Sequence, residues 1–95
     1  MRPVQEYDDT LLEPFNEDGV SVPLLRLNRV ALPPVELRVG GSAYRYERSY
    51  PIKGHSAVMP KYLKEQMGAG KRPLVVERIS RYYVYMATDV GSAAK

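Results

Sequence analysis

The chain has 95 residues, an apolar fraction of 44% and no cysteine. This length allows one domain with a single modest core, and the lack of cysteine excludes disulfides and thiolate zinc sites. No segment has the roughly 18–20 apolar residues of a membrane-spanning helix, and the N-terminus lacks the apolar region of a secretory signal. We therefore expect a soluble, cytoplasmic protein that does not associate with membranes.

The charge is distributed unevenly along the chain. Residues 1–22 carry six acids and one base, a net charge of −5, whereas residues 23–95 carry thirteen bases and five acids, a net charge of +8. Such an asymmetry concerns binding partners rather than fold. Because residues 1–22 show no sustained hydrophobic period, we predict an acidic extended arm there, a single α+β domain over residues 23–90, and a frayed tail over residues 91–95.

The first predicted strand covers residues 24–30, where apolar and polar residues alternate in part. In a strand, Leu25 and Leu27 would share one face. Pro33 and Pro34 then end the strand, because proline cannot donate a hydrogen bond to a sheet ladder.

The next two predicted strands flank a pair of glycines, Gly40 and Gly41. Two glycines between alternating runs are typical of a two-residue hairpin turn, which requires positive φ angles. This turn predicts five opposed pairs: Val39 with Ser42, Arg38 with Ala43, Leu37 with Tyr44, Glu36 with Arg45, and Val35 with Tyr46. Opposed residues share a face, so both tyrosines are expected on the core face, with Val35 and Leu37, and both arginines on the outer face.

One helix is predicted after a connecting segment that contains Pro51 and Gly54. It begins at Ser56 or nearer to Met59, two alternatives that the sequence leaves open. Gly68 is expected to end it at the C′ position. Its apolar stripe consists of Met59, Tyr62, Leu63 and Met67.

Two more strands, over residues 74–78 and 82–87, are predicted from their β-branched and aromatic side chains. Residues 79–81 hold a two- or three-residue hairpin loop, and the two options give the tyrosines opposite facings. The order of three strands, one helix and two strands is that of an OB-type barrel. We therefore predict an α+β fold: a small five-stranded antiparallel curled sheet, or OB-like barrel, with one short helix between strands 3 and 4.

The residue types offer little for catalysis. His55 is the only histidine, and no cysteine could complete a metal or nucleophile constellation with it. Residues 68–72 place glycines beside Lys71 and Arg72 but lack the spacing of a P-loop. They are interpreted as a helix end and a solvated loop, with phosphate contact through backbone N–H groups as the alternative. We predict a protein that is not an enzyme and has no catalytic residue, cofactor or metal ion.

Arginines and tyrosines interleave in residues 44–50 and 78–83. Cations that meet phosphates and rings that stack on bases are the ingredients of single-stranded nucleic-acid binding. We therefore predict a small basic protein that binds DNA or RNA, with single strands favoured. Its candidate contacts are Arg38, Arg45, Lys71, Arg72, Arg78, Arg81, Tyr82 and Tyr83.

A protein–protein interaction module is the alternative function. The chain would then be a small subunit or a homo-oligomer, and its acidic arm would dock on a basic surface of the same chain or of a neighbour. The strand at residues 24–30 or the strand at residues 82–87 would supply a free edge for pairing.

Overall fold

The computed structural model describes residues 5–27, 35–53 and 58–88. The elements, in chain order, are strand β1 (Gln5–Tyr7), a 3-10 helix (Asp9–Leu11), β2 (Glu13–Glu17), β3 (Val20–Arg26), β4 (Glu36–Val39), β5 (Ser42–Pro51), helix α1 (Val58–Gly68), β6 (Pro73–Glu77) and β7 (Arg81–Ala87). No helix in the described ranges is long and apolar enough to cross a membrane. Residues 28–30 of the first predicted strand, the alternative helix start at Ser56, His55 and the predicted tail at residues 91–95 lie outside these ranges.

The strands of the described ranges form one mixed sheet in the order β1-β4-β5-β7-β6-β3-β2. β1 is parallel to β4 and β3 is parallel to β6, whereas the other neighbours are antiparallel. The prediction of a five-stranded antiparallel curled sheet or OB-like barrel is therefore wrong. The sheet has seven strands and two parallel ladders, and β1 and β2 form its two edges, so it does not close into a barrel.

The strands that the sequence did not predict lie in residues 5–17, within the segment expected to be an acidic arm. β2 pairs with β3 through a turn at Asp18 and Gly19, both of which have positive φ angles. Only Phe15 of β2 is buried, so this edge strand shows no apolar alternation. β1 is held by β4, a partner about 30 residues away, which no local pattern reveals.

The predicted hairpin of β4 and β5 is confirmed, together with its register. Gly40 and Gly41 have φ angles of 58° and 89°, as a type I′ turn requires. Leu37 and its partner Tyr44 are buried as predicted.

The burial predicted for Val35 and Tyr46 of this hairpin is wrong. Val35 is 63% exposed and Tyr46 is 38% exposed. The hydrogen bond from the Tyr46 N–H to the Val35 carbonyl keeps them in the predicted register. Val35 and Tyr46 therefore share the face of Leu37 and Tyr44. They lie farther from the Gly40–Gly41 turn, at a part of that face that is exposed to solvent. Past Tyr46, a β-bulge at Glu47 shifts the pairing of β5 with β7.

The predicted helix is also confirmed, but its cap is two residues later than expected. Gly68 is still helical, and Gly70 has the positive φ angle of 86°. The Gly70 N–H bonds to the Met67 carbonyl and the Lys71 N–H to the Gln66 carbonyl, each at 3.0 Å. These two bonds define a Schellman motif with Gly70 at C′, so the prediction that Gly68 is C′ is wrong.

Both faces of the sheet are packed. The first, which we call the helix face, buries an apolar cluster under α1: Phe15, Val20, Val22, Leu24, Met59, Leu63, Val75, Val84 and Met86. The second face buries its own cluster: Leu25, Leu27, Leu37, Val39, Tyr44, Leu74, Val76 and Tyr85. This second cluster runs from β4 and β5 through Tyr85 of β7 to β6 and β3, so it extends over five neighbouring strands.

The last hairpin has a two-residue loop, Ile79 and Ser80, closed by a 2.9 Å hydrogen bond from the Arg78 N–H to the Arg81 carbonyl. This settles the register that the sequence left open and pairs Val76 with Tyr83. β3 and β7 each have a neighbour on both sides. The prediction that either strand supplies a free edge is therefore wrong.

Candidate functional site

The eight predicted contact residues lie in three separate places. Two are on the helix face of β4 and β5 (Arg38 and Arg45), two lie just before β6 (Lys71 and Arg72), and four surround the β6–β7 hairpin (Arg78, Arg81, Tyr82 and Tyr83). The last two places are at opposite ends of β7, which spans about 20 Å for its seven residues. The eight residues therefore do not form one continuous face.

The arginines on the helix face stand next to carboxylates. Arg45 lies opposite Glu36, with 3.8 Å between its Nη1 and the Glu36 Oε2, and both side chains are exposed. Arg38 is in register with Glu6 of β1. A phosphate that approached this surface would meet charges of both signs, and exposed ion pairs of this kind contribute little stability.

Lys71 and Arg72 follow the cap of α1. The backbone N–H groups of Ala69, Gly70 and Lys71 are all bonded to carbonyls of α1. They are therefore not available to a phosphate, and the interpretation of this segment as a helix end followed by a loop is confirmed. Arg72 donates from Nη2 to Ser42 Oγ at 3.4 Å, which places its guanidinium beside the start of β5.

The two arginines of the hairpin are held in place by their Nε atoms. Arg81 Nε donates to Ser49 Oγ at 3.1 Å, and Arg78 Nε donates to the Leu27 carbonyl at 3.2 Å. A guanidinium is planar and rigid, so a bond at Nε also orients the terminal nitrogens. Both side chains are half-buried at the same end of the sheet.

The hairpin tyrosines lie on opposite faces of β7. Tyr82 is on the helix face, where its ring centroid is 5.6 Å from that of Phe15 and burial raises its pKa. Tyr83 is on the second face, 6.0 Å from the ring of Tyr46, which is also 5.9 Å from Tyr85. The two tyrosines predicted as contacts therefore cannot act as one stacking platform. Tyr46 and Tyr83 share a face, with their ring planes tilted by 52°.

Other cations and rings of the helix face are engaged with one another. The Arg48 guanidinium lies 4.3 Å from the ring centroid of Tyr62, and its Nη1 donates to the Tyr50 hydroxyl at 3.4 Å. Burial raises the pKa of Tyr62, Arg48 lowers it, and nearby Glu47 raises it. Glu47 is the extra residue of the β5 bulge, between Tyr46 and Arg48, and has no ladder partner on β7.

The second face of the sheet carries no carboxylate at any paired position of the described strands. By register, the acids at paired positions all belong to the helix face: Glu6, Glu13, Glu17, Glu36 and Glu77. Glu47, in the bulge of β5, has no ladder partner and is not assigned to either face. At its paired positions near the hairpin, the second face therefore presents cations and rings without an acid.

We call this surface the hairpin-end patch and define it as Tyr46, Ser49, Arg78, Arg81 and Tyr83. Sequence reasoning found three of these residues and missed Tyr46 and Ser49. Strict alternation placed Tyr46 in the core, and Ser49 becomes relevant only through the pairing of β5 with β7 beyond the bulge. Both residues lie inside the interleaved run of residues 44–50, which was the available signal for them.

Among the described residues, no group of three or more His, Asp or Glu side chains is placed to hold a metal ion. Comparison with known proteins gives no matching family model, no matching curated protein and no matching solved structure. The chemistry of the hairpin-end patch is therefore the basis for inferring function.

Proposed function

We propose that the chain binds single-stranded nucleic acid at the hairpin-end patch. Bases would stack on Tyr46 and Tyr83, and phosphates would meet Arg78 and Arg81. The observation that carries this proposal is the exposed Tyr46 ring, next to two oriented arginines, on a sheet face without a carboxylate at the paired positions of its described strands. The proposed activity is binding without a catalytic step.

The chemistry of the patch favours single strands over duplexes. Stacking on an aromatic side chain contributes about 1–3 kcal/mol per base, and only unpaired bases can turn a free face towards a ring. The patch extends across the neighbouring strands β5, β7 and β6, a width of about 10 Å. Arg38, Arg45, Lys71 and Arg72 lie elsewhere and are not needed for this mode of binding.

Fluorescence anisotropy with a labelled oligothymidylate at low salt tests the proposal. We expect Tyr46→Leu and Arg81→Gln each to weaken affinity by about 5- to 30-fold, equivalent to about 1–2 kcal/mol. Arg45→Gln removes the same charge from the helix face and serves as the matched control, with a change of less than about twofold. Circular dichroism confirms that each variant is folded.

Two results would refute this assignment. One is the absence of binding by the unchanged chain at low salt. The other is an equal loss of affinity in Arg45→Gln and Arg81→Gln, since that would mean an effect of total charge rather than of the patch.

A protein partner at the same end of the sheet is the second candidate function, and one observation favours it. Ile79, at the tip of the hairpin, is 77% exposed. With Pro51 and Ile52 it lines a cleft of about 340 Å³. An exposed large apolar side chain beside such a cleft fits a partner's apolar side chain.

Light scattering over a range of concentrations tests the homo-oligomer version of this candidate. A dimer that Ile79→Ser dissociates would support it, and a monomer at all concentrations would exclude it. Deleting residues 1–22 is not a suitable test, because it would remove β1, β2 and the beginning of β3 from the sheet.

A further inference from the structure

A cleft of about 410 Å³ lies at the end of the sheet opposite the hairpin-end patch, between the cap of α1 and the beginnings of β3 and β6. Its volume falls in the range of small-molecule sites, roughly 300–1,000 Å³. Its apolar lining includes Val22, Tyr44 and Met67, and its cationic lining consists of Lys71 and Arg72. The described residues that line it include no acid.

The two cations are positioned on the rim of this cleft. Both are exposed, and Arg72 Nη2 also donates to Ser42 Oγ, at the start of β5 beside the cleft-lining Tyr44 strand segment. At the neighbouring C-terminus of α1, the carbonyls of Gln66 and Met67 are not free, because they accept hydrogen bonds in the Schellman motif. The partial negative charge of a helix C-terminus is thus reduced next to Lys71.

Tyr44 supplies a polar group in the otherwise apolar part of the lining. It is 7% exposed, and its hydroxyl makes no hydrogen bond to another described residue. An oxygen atom of a ligand bound beside Tyr44 would accept a hydrogen bond from this hydroxyl.

We propose that this cleft binds a small organic anion, with an aromatic or aliphatic body and a carboxylate or phosphate group. Lys71 and Arg72 bind the anionic group, Tyr44 donates a hydrogen bond to the ligand, and Val22 and Met67 contact its body. This site is about 20 Å from the hairpin-end patch and does not depend on nucleic-acid binding.

Two-dimensional NMR titration of the whole chain tests the site with four probes: 3-phenylpropionate, phenyl phosphate, the neutral analogue 3-phenylpropanol, and inorganic phosphate. At least one of the two organic anions is expected to shift the amide signals of Ser21, Gly70 and Lys71 saturably. It should bind about tenfold more tightly than the alcohol and than inorganic phosphate, since both the charge and the apolar body contribute. The stronger of the two organic anions identifies the anionic group.

Variants separate this site from general charge attraction. Arg72→Gln is expected to weaken binding of the organic anion about fivefold or more, and Tyr44→Phe about threefold without disturbing the fold. Lys61→Gln, a change to an exposed lysine of α1 outside the cleft, should alter affinity by less than about twofold. The proposal is overturned if neither organic anion saturates below about 10 mM, if the alcohol or inorganic phosphate binds as tightly, or if Lys61→Gln has the effect of Arg72→Gln.

Discussion

Arg81 donates a hydrogen bond from Nε to Ser49 Oγ at 3.1 Å, across the ladder that joins β7 to β5. This bond orients the guanidinium beside Tyr83, which is paired with Ser49. A cation fixed in this way loses less side-chain freedom when it meets a phosphate than a free side chain does. The proposed nucleic-acid site therefore depends on an uncharged residue as well as on its arginines and rings.

Ser49→Ala tests the contribution of that orientation. The variant keeps every charge of the patch and releases Arg81, and ordering a free side chain costs about 0.5–1.5 kcal/mol on binding. We expect the affinity for an oligothymidylate to fall by about 2- to 10-fold in an anisotropy titration. Thr88→Ala, which removes a hydroxyl bonded to the Ala43 carbonyl at the other end of the sheet, should leave affinity unchanged. Equal losses in the two variants would contradict the orienting role of Ser49.

The cap of α1 predicts opposite effects at two nearby glycines. Gly68 is helical and Gly70 has a φ angle of 86°, and an added Cβ would meet no atom within 4 Å at either position. We expect Gly68→Ala to raise the free energy of unfolding by up to about 1 kcal/mol. Gly70→Ala should lower it by about 1–2 kcal/mol, because the left-handed region is unfavourable for a residue with a Cβ. Urea unfolding measures both, and a change of the same sign in the two variants would disprove the assignment of Gly70 as C′.

Buried tyrosines predict a loss of stability at alkaline pH. Burial raises the pKa of Tyr85 strongly, and it also raises the pKa values of Tyr7 and Tyr62. The folded chain therefore holds phenolic protons that the unfolded chain releases above its ordinary pKa of about 10. For Tyr85, this contribution to stability is complete below pH 10 and is lost as the pH rises above it, by up to about 1.4 kcal/mol per pH unit.

Tyr85→Phe provides the test of this linkage. Urea midpoints between neutral pH and pH about 11 should fall less steeply in the variant than in the unchanged chain, because one linked proton is gone. The comparison uses the change of the urea midpoint per pH unit. A loss of stability that is the same at every pH, caused by the missing hydroxyl, does not affect it. Identical slopes would show that Tyr85 ionises as easily in the folded chain as in the unfolded one.

Local patterns in the sequence were sufficient for the parts of the fold that depend on neighbours along the chain. The pair Gly40 and Gly41 fixed a turn and, with it, four ladder pairs of β4 and β5. The apolar spacing of α1 placed Met59 and Leu63 in the core. In both cases, the interaction that decides the structure joins residues close in sequence.

The parts that sequence reasoning missed depend on distant partners. β1 forms by parallel pairing with β4. β2 is an edge strand, and its exposed acidic residues leave no apolar alternation that would indicate a strand. The helix cap is a local exception, because Gly68 and Gly70 both suit C′ and the structure uses Gly70. The bulge at Glu47 shifts the pairing of β5 with β7 just past the exposed Tyr46, and it has no signature in the alternation of residues 42–48.

Salt dependence of binding tests the central proposal most directly. For the unchanged chain, the logarithm of the affinity for an oligothymidylate should fall linearly with the logarithm of salt concentration, with a slope of about −0.7 for each phosphate neutralised. With Arg78 and Arg81 both in contact, we predict a slope of about −1.4 or steeper, and Arg81→Gln should reduce its magnitude by about 0.7. A flat response to salt, or a slope that Arg81→Gln leaves unchanged while Arg45→Gln reduces it, would contradict nucleic-acid binding at the hairpin-end patch.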